Sequence, residues 1–344
     1  MAATIRDVAA LAGVSPSTVS RTCQNSPAIS EKTKEKVREA MAALGYEPPA
    51  YTDPNKTGAP RHIGVIMPPD DSFTYDNPFF LQILAGITQG CSENHYLSVL
   101  VSGKNDQEAL ESIQRMIRQH EVSSFVVLFS RREDPIVDYL ACEGIDYVLI
   151  GHPSSNPNDT VAVDNDNIAA GQEAARYLAQ LGHKKIGFFG PSSRPWYSIS
   201  RANGLRLYAA EHGLDIRPEW IVESDSSKPE GMNGICVLLK SENRPTAFIA
   251  SDEMYALALR EACAELGLRI PEDLSILTFN NSIISRLTNP QMTSVDINAG
   301  QLGVEAALQA IKHNENPDLM PSRTLVPFEL VVRQSTAAPA SRNL

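Results

Sequence analysis

From residue 62 onward the chain alternates short apolar runs with longer amphipathic ones, and this rhythm constrains the fold more than any other feature. A strand that feeds a helix, which returns the chain to a neighbouring parallel strand, produces such alternation. Strands are expected over 63–67, 96–101, 124–129 and 147–150, with helices over 79–94, 108–120 and 136–142 between them. A second series follows, with helices over 168–181, 198–211, 230–240 and 253–266 and strands over 185–189, 247–250 and 275–278. Two series imply two α/β lobes, although no close sequence repeat relates them. Ligands of such sheets gather beyond the carboxyl ends of the strands, so the crevice between lobes is the expected pocket.

The first 47 residues read differently. Thr4 is placed to cap a helix with Asp7 as its weaker capping-box partner, and Ile5, Val8, Ala9 and Ala12 form one apolar face. Gly13 supplies a turn, Val14 an anchor and Ser15 a new cap, and Pro16 fits the first position of a second helix running to Arg21. A third helix starts at the cap Ser30, carries Val37, Ala40, Met41 and Leu44 on one face, and stops at Gly45. Two short helices joined at a glycine turn form a helix-turn-helix, and small residues opening the second helix let it enter a major groove.

Composition narrows the function classes. With 42% apolar and 21% charged residues over 344 positions, there is material for several cores. No apolar run reaches the length of a membrane span, and the first residues carry no secretory pattern. The five cysteines are scattered without a CxxC pair, which argues against a disulfide framework or zinc site and fits reduced thiols in the cytoplasm. Net charge is −11, yet residues 1–61 sum to +2 and the remainder to −13, so the bases that meet phosphate sit on the head. The glycines around 187–190 match neither a Walker loop nor a dinucleotide fingerprint. No HExxH or GxSxG motif occurs. Neither an enzyme's catalytic residues, nor a cofactor, nor a metal site is therefore expected.

The head resembles the LacI (lactose-repressor) family of transcription regulators, through Thr4-Ile5-Arg6-Asp7-Val8-Ala9, the run from Ala12 to Arg21, Ser30-Glu31-Lys32-Thr33 and Leu44-Gly45-Tyr46. The core continues the resemblance with Asn77-Pro78-Phe79-Phe80, Val163-Asp164-Asn165, Leu181-Gly182-His183, Arg201-Ala202-Asn203-Gly204, Ser251-Asp252 and Leu330-Val331-Val332-Arg333. The resemblance implies an all-α helix-turn-helix domain over 1–47, a linker over 48–61 and a two-lobed α/β core with parallel sheets of the periplasmic-binding-protein type. The first lobe would hold 62–163 and 293–325, the second 164–292 and 326–337, and 338–344 a tail. It further implies that Pro16, Ser17 and Arg21 meet base edges and Thr18, Ser20 and Ser30 mainly phosphates, with Thr4 and Ser15 also among the DNA-binding residues. The partners implied are a pseudo-palindromic double-stranded operator and a second copy of the chain. The linker departs from the family's hinge helix: Pro49 replaces the asparagine cap, Asn55 the wedge leucine, and Pro54 opposes a helix.

By the same resemblance the effector site falls on Phe79, Phe80, Arg201, Ser251, Asp252 and Asn280. Ser251 stands where asparagine is usual, Asn280 where aspartate is, and Gly151 at a position usually acidic. A site with less charge points to a neutral ligand. The runs Asp164-Asn165-Asp166-Asn167, Thr278-Phe279-Asn280-Asn281-Ser282 and Thr293-Ser294-Val295-Asp296-Ile297-Asn298 resemble the maltose-operon repressors, which implies maltose or another α-glucoside. A sugar-binding protein of transport type shares the core's pattern, and an enzyme acting on sugars is the more distant alternative. The helix-turn-helix favours a repressor over both.

Overall fold

The computed structural model describes residues 4–23, 26, 29–46, 61–69, 77–119, 122, 124–131, 133–154, 156–192, 195–224 and 232–340. The proline-bearing linker singled out in the sequence, and most of the loop after residue 68, lie outside the described residues.

The head folds as its caps dictate. Helix α1 (Ile5–Ala12) opens with a reciprocal box: the Asp7 amide donates to Thr4 Oγ1 at 3.4 Å and the Thr4 amide to Asp7 Oδ2 at 2.8 Å. Gly13 ends it in the left-handed region at φ 67°. Helix α2 (Pro16–Cys23) begins on Ser15, whose hydroxyl accepts from the Thr18 amide at 3.2 Å. The Ser30 hydroxyl caps α3 (Glu31–Leu44) by accepting from the Thr33 amide at 3.3 Å. Ile5, Val8, Val19, Val37, Ala40 and Tyr46 close a core of their own between the three helices.

The chain divides into two compact units. The first holds residues 1–76, head included, with 83–163 and 300–324, and the second holds 77–82, 164–299 and 325–344. The first sheet is built from β1 (His62–Ile66), β2 (Leu97–Val101), β3 (Ser124–Val127), β4 (Tyr147–Ile150) and β5 (Val161–Asp164). Helices α4 (Pro78–Glu93), α5 (Asp106–Arg118) and α6 (Pro135–Glu143) alternate with these strands. In the second unit, α7 (Asn167–Gln180) precedes β6 (Ile186–Pro191), α8 (Trp196–His212), β7 (Ile221–Ser224), α9 (Asn233–Lys240) and β8 (Ala247–Ala250). It continues with α10 (Glu253–Glu265), β9 (Ser275–Phe279), α11 (Ile283–Leu287) and β10 (Thr293–Asp296). The chain closes with α12 (Ala299–Glu315), β11 (Arg323–Leu325) and β12 (Glu329–Val331).

The sheets run in the orders β2-β1-β3-β4-β5-β11 and β7-β6-β8-β9-β10-β12, one architecture used twice. A shared detail marks the duplication that the sequence conceals. Gly64 on β1 pairs in register with Phe125 on β3, and Gly187 on β6 with Phe248 on β8. A Cβ on either glycine would lie 2.4 Å from that ring, so each sheet makes room for a phenylalanine against the strand next to its edge.

One expected boundary moves. Residues 293–299 are expected in the first lobe, but β10 lies in the second sheet, parallel to β9 and antiparallel to β12. The return to the first unit comes at Gly300, because the hydrogen bonds of Thr293–Asp296 are spent on β9 and β12. Buried Asn165 gathers this region: its side-chain amide donates to the carbonyls of Ile297 at 3.0 Å and Val326 at 2.8 Å.

Candidate functional site

The order of the second sheet reverses between β6 and β8, the strands on either side of its first crossover, and such a reversal opens a crevice at their carboxyl ends. Helix α8 leaves β6 there and carries Arg201 on its second turn. The position is set by a close helix crossing. A Cβ on Gly171 would lie 2.2 Å from the Arg201 carbonyl oxygen, and one on Gly204 2.2 Å from that of Ile168, so α7 and α8 touch backbone to backbone. Asn167, in the first turn of α7, is thereby brought under the arginine side chain.

Arg201 is 3% exposed and fixed on three sides. Its Nε donates to Asn167 Oδ1 at 2.9 Å and its Nη1 to the Ser251 carbonyl at 2.6 Å. The guanidinium carbon lies 4.1 Å from the ring centroid of Phe279 and 5.0 Å from that of Tyr197, so two aromatic faces share the cation. Burial lowers its pKa to about 10, against the pull of Tyr197, Asp252 and Asp164, which leaves it charged at neutral pH. Nη2 makes no hydrogen bond among the described residues.

Two carboxylates flank this cation. Asp252 caps α10, accepting from the Met254 amide at 2.9 Å, and its other oxygen accepts from the Tyr197 hydroxyl at 3.3 Å. Burial raises its pKa, with the amides of Tyr255 and Met254 and the charge of Arg201 opposing. Asp164 accepts from the Asn165 amide at 2.8 Å and the Asn167 side chain at 3.0 Å, yet burial holds its pKa at about 6. Ser251 Oγ is buried without a hydrogen-bond partner among the described residues.

Of the residues expected at the effector site, the structure brings Arg201, Ser251 and Asp252 together. Ser251 touches the arginine through its carbonyl rather than its hydroxyl. Asn280 follows Phe279 at φ 90°, nearly buried, its amide donating to Val295 O at 3.0 Å. Phe79 and Phe80 pair edge to face with each other at 5.2 Å, and no hydrogen bond or ring contact joins them to the Arg201 group among the described residues. Sequence reading missed Asn167, Asp164, Tyr197 and Phe279. Tyr197 sits four residues before Arg201 on the same helix face, and Phe279 at the carboxyl end of a strand, so spacing alone marks both as candidates.

On the head, Ser15, Ser17 and Ser30 are exposed, while Thr4, Pro16, Thr18, Ser20 and Arg21 are partly covered. Ser15 Oγ lies 2.8 Å from Ser17 Oγ and 2.9 Å from Thr18 Oγ1, so the start of α2 presents a small hydroxyl cluster. Ser20 turns toward the first unit, its hydroxyl donating to the Gly144 carbonyl at 3.1 Å, and the Arg21 charge acts on the Asp146 carboxyl.

Residues 4–49 match the bacterial regulatory proteins of the lacI family, and residues 175–336 match the periplasmic binding protein-like domain. The chain is 32% identical to the HTH-type transcriptional regulator MalR of Staphylococcus xylosus, over 97% of this chain and 98% of the relative. It superposes on a transcriptional regulator CelR–cellobiose complex with a TM-score of 0.75 at 26% identity, covering 97% of this chain and 99% of that one. A staphylococcal structure named as a probable maltose operon transcriptional repressor, malR, gives a TM-score of 0.74 at 28% identity, covering 81% and 99%. Since the match to the regulator MalR runs through head and core alike, the chain belongs to the lacI family of DNA-binding transcription regulators.

Proposed function

We propose that this regulator is a cytoplasmic repressor released or engaged by a neutral sugar of the α-glucoside class, with Arg201 as the anchor for ligand hydroxyls. The observation that carries this reading is the fixed guanidinium held between Phe279 and Tyr197. A planar donor locked in place selects paired oxygens, and aromatic faces suit the apolar faces of sugar rings. With Asp164 and Asp252 beside it, the cluster carries more negative than positive charge when both are ionised, which opposes phosphorylated sugars. The unpartnered Ser251 hydroxyl gains a partner when a ligand hydroxyl arrives. The name of one structural relative, a probable maltose operon repressor, supports the α-glucoside class, and that of another, a cellobiose complex, supports a neutral glucose disaccharide without the α linkage.

On DNA, the reading assigns Pro16, Ser17 and Arg21 to base edges and Thr4, Ser15, Thr18, Ser20 and Ser30 to the backbone of a pseudo-palindromic operator. A homodimer supplies the second head. Leu97 and Leu100, 64% and 50% exposed on the edge strand β2, support a second copy as partner.

The test is a thermal-shift series with maltose, cellobiose, glucose and glucose 6-phosphate on wild type and Arg201→Ala. Maltose raises the melting temperature of the wild type only; a response to the phosphate alone overturns the reading. Arg21→Ala costs about 1–3 kcal/mol in operator affinity and relaxes preference at one base pair, as measured by competition among duplexes. A loss equal for all sequences makes Arg21 a phosphate contact.

A further inference from the structure

We infer that the first unit carries a docking surface for the chain's own DNA-reading helix, and that docking and operator binding exclude each other. The inference rests on α2 reading DNA. The surface is the end of α6 and the start of β4, together with Asp318. Ser20 donates its hydroxyl to the Gly144 carbonyl at 3.1 Å, and Ser26 donates to Asp318 Oδ1 at 2.6 Å across 292 residues of sequence. Gly144 ends α6 in the left-handed region at φ 64°. A Cβ added there would come 2.7 Å from Ser20 Cβ and 3.2 Å from Ile5 Cδ1, so the approach is closed to larger residues. Beside it, Arg21 pulls against the burial that raises the Asp146 carboxyl to about 6.

These contacts occupy a side chain that an operator needs. Ser20 is among the residues of α2 placed to touch DNA, and its hydroxyl cannot turn to the Gly144 carbonyl and to an operator at once. A major groove about 12 Å wide admits a bare helix, not one with another domain on its face. The apparent operator affinity is therefore the intrinsic affinity multiplied by the fraction of heads that are free. A docked-to-free ratio of ten weakens it about tenfold. Ser26 and Asp318 contribute to docking without belonging to the set assigned to DNA, which lets the two functions be separated.

The experiment is a full-length chain bearing Ser26→Cys and Asp318→Cys, with each single variant as control. The probe is a duplex selected from a random-sequence pool by the reduced wild-type protein. Mild oxidation is expected to link 26 to 318 within one chain, seen by peptide mapping. The linked form loses at least tenfold in duplex affinity, regains it on reduction, and keeps its thermal profile. A second variant, Asp146→Asn with Asp318→Ala, leaves every head residue native and binds the same duplex several-fold more tightly than wild type. The inference is overturned if no 26–318 link forms while both single cysteines react with maleimide. It is equally overturned if the linked form binds as well as the reduced one, or if the second variant binds no more tightly. Should the reduced wild type select no duplex, the reading of α2 as DNA-binding fails, and formation of the link still decides docking.

Discussion

Asp164 is held in a setting that opposes its own charge. Two hydrogen bonds and the Arg201 cation favour its ionised form, and burial outweighs them, lifting the carboxyl from 3.8 to about 6. A folded-state value above the unfolded one means the folded chain binds more protons between those limits, so stability falls as pH rises through that window. The cost is complete above pH 6 and amounts to at most about 3 kcal/mol. Asp164→Asn keeps an acceptor for Asn165 and Asn167 and removes the charge. It is expected to be more stable than wild type at pH 7.5, with the difference vanishing near pH 4, as read by urea unfolding at both values. Asp146 contributes a slope of the same sign, so the variant's profile flattens without becoming level. A parallel profile would return Asp164 to an ordinary carboxylate. None of this was legible from the run Val163-Asp164-Asn165, because the desolvation comes from α8 and the strand ends, distant in sequence. Arg201 was found by family register, and its aromatic companion Tyr197 was passed over although only one helical turn away.

Among the elements, the crossing of α7 and α8 determines whether the site exists. Gly171 and Gly204 let the two backbones meet, and Arg201 and Asn167 sit on the same turns. Gly204→Ala places a methyl 2.2 Å from the Ile168 carbonyl, which the helices relieve only by moving apart. Overpacking of this kind costs about 1–3 kcal/mol. The same displacement lengthens the Arg201–Asn167 bond. The variant is therefore expected to melt lower and to lose the maltose shift while its duplex affinity stays near wild type; an intact maltose shift would show that the crossing does not position the arginine. The elements with strong local signals were readable in advance. Thr4, Ser30 and Gly45 marked helix ends because capping is a matter of neighbouring residues. β7 and β10 were not. Ile221–Ser224 is an edge strand with a polar second half, and Thr293–Asp296 is bounded by threonine and aspartate, so neither presents the apolar run of a strand covered on both faces.

At the scale of the whole chain, the question is whether sensing and DNA reading are separable parts. The head has a core of its own, from Ile5 to Tyr46, and each sheet is buried independently of it. Removing residues 1–60 takes away α1 to α3 and no strand of either sheet. The remaining chain also loses the partner of Gly144, Asp146 and Asp318, which exposes the docking surface to water without leaving an apolar core open. It is expected to fold and to retain the maltose-dependent rise in melting temperature. Its affinity for the selected duplex should fall to the level of a random sequence, since its charge balance is strongly acidic. If that core bound no sugar, ligand recognition would depend on the head. If the full-length chain bound sugar but selected no duplex, the molecule would behave as a binding protein of the transport type, whose domain pattern it shares over residues 175–336. Sugar binding by both forms and duplex selection by the full-length chain alone is the combination a two-part regulator requires.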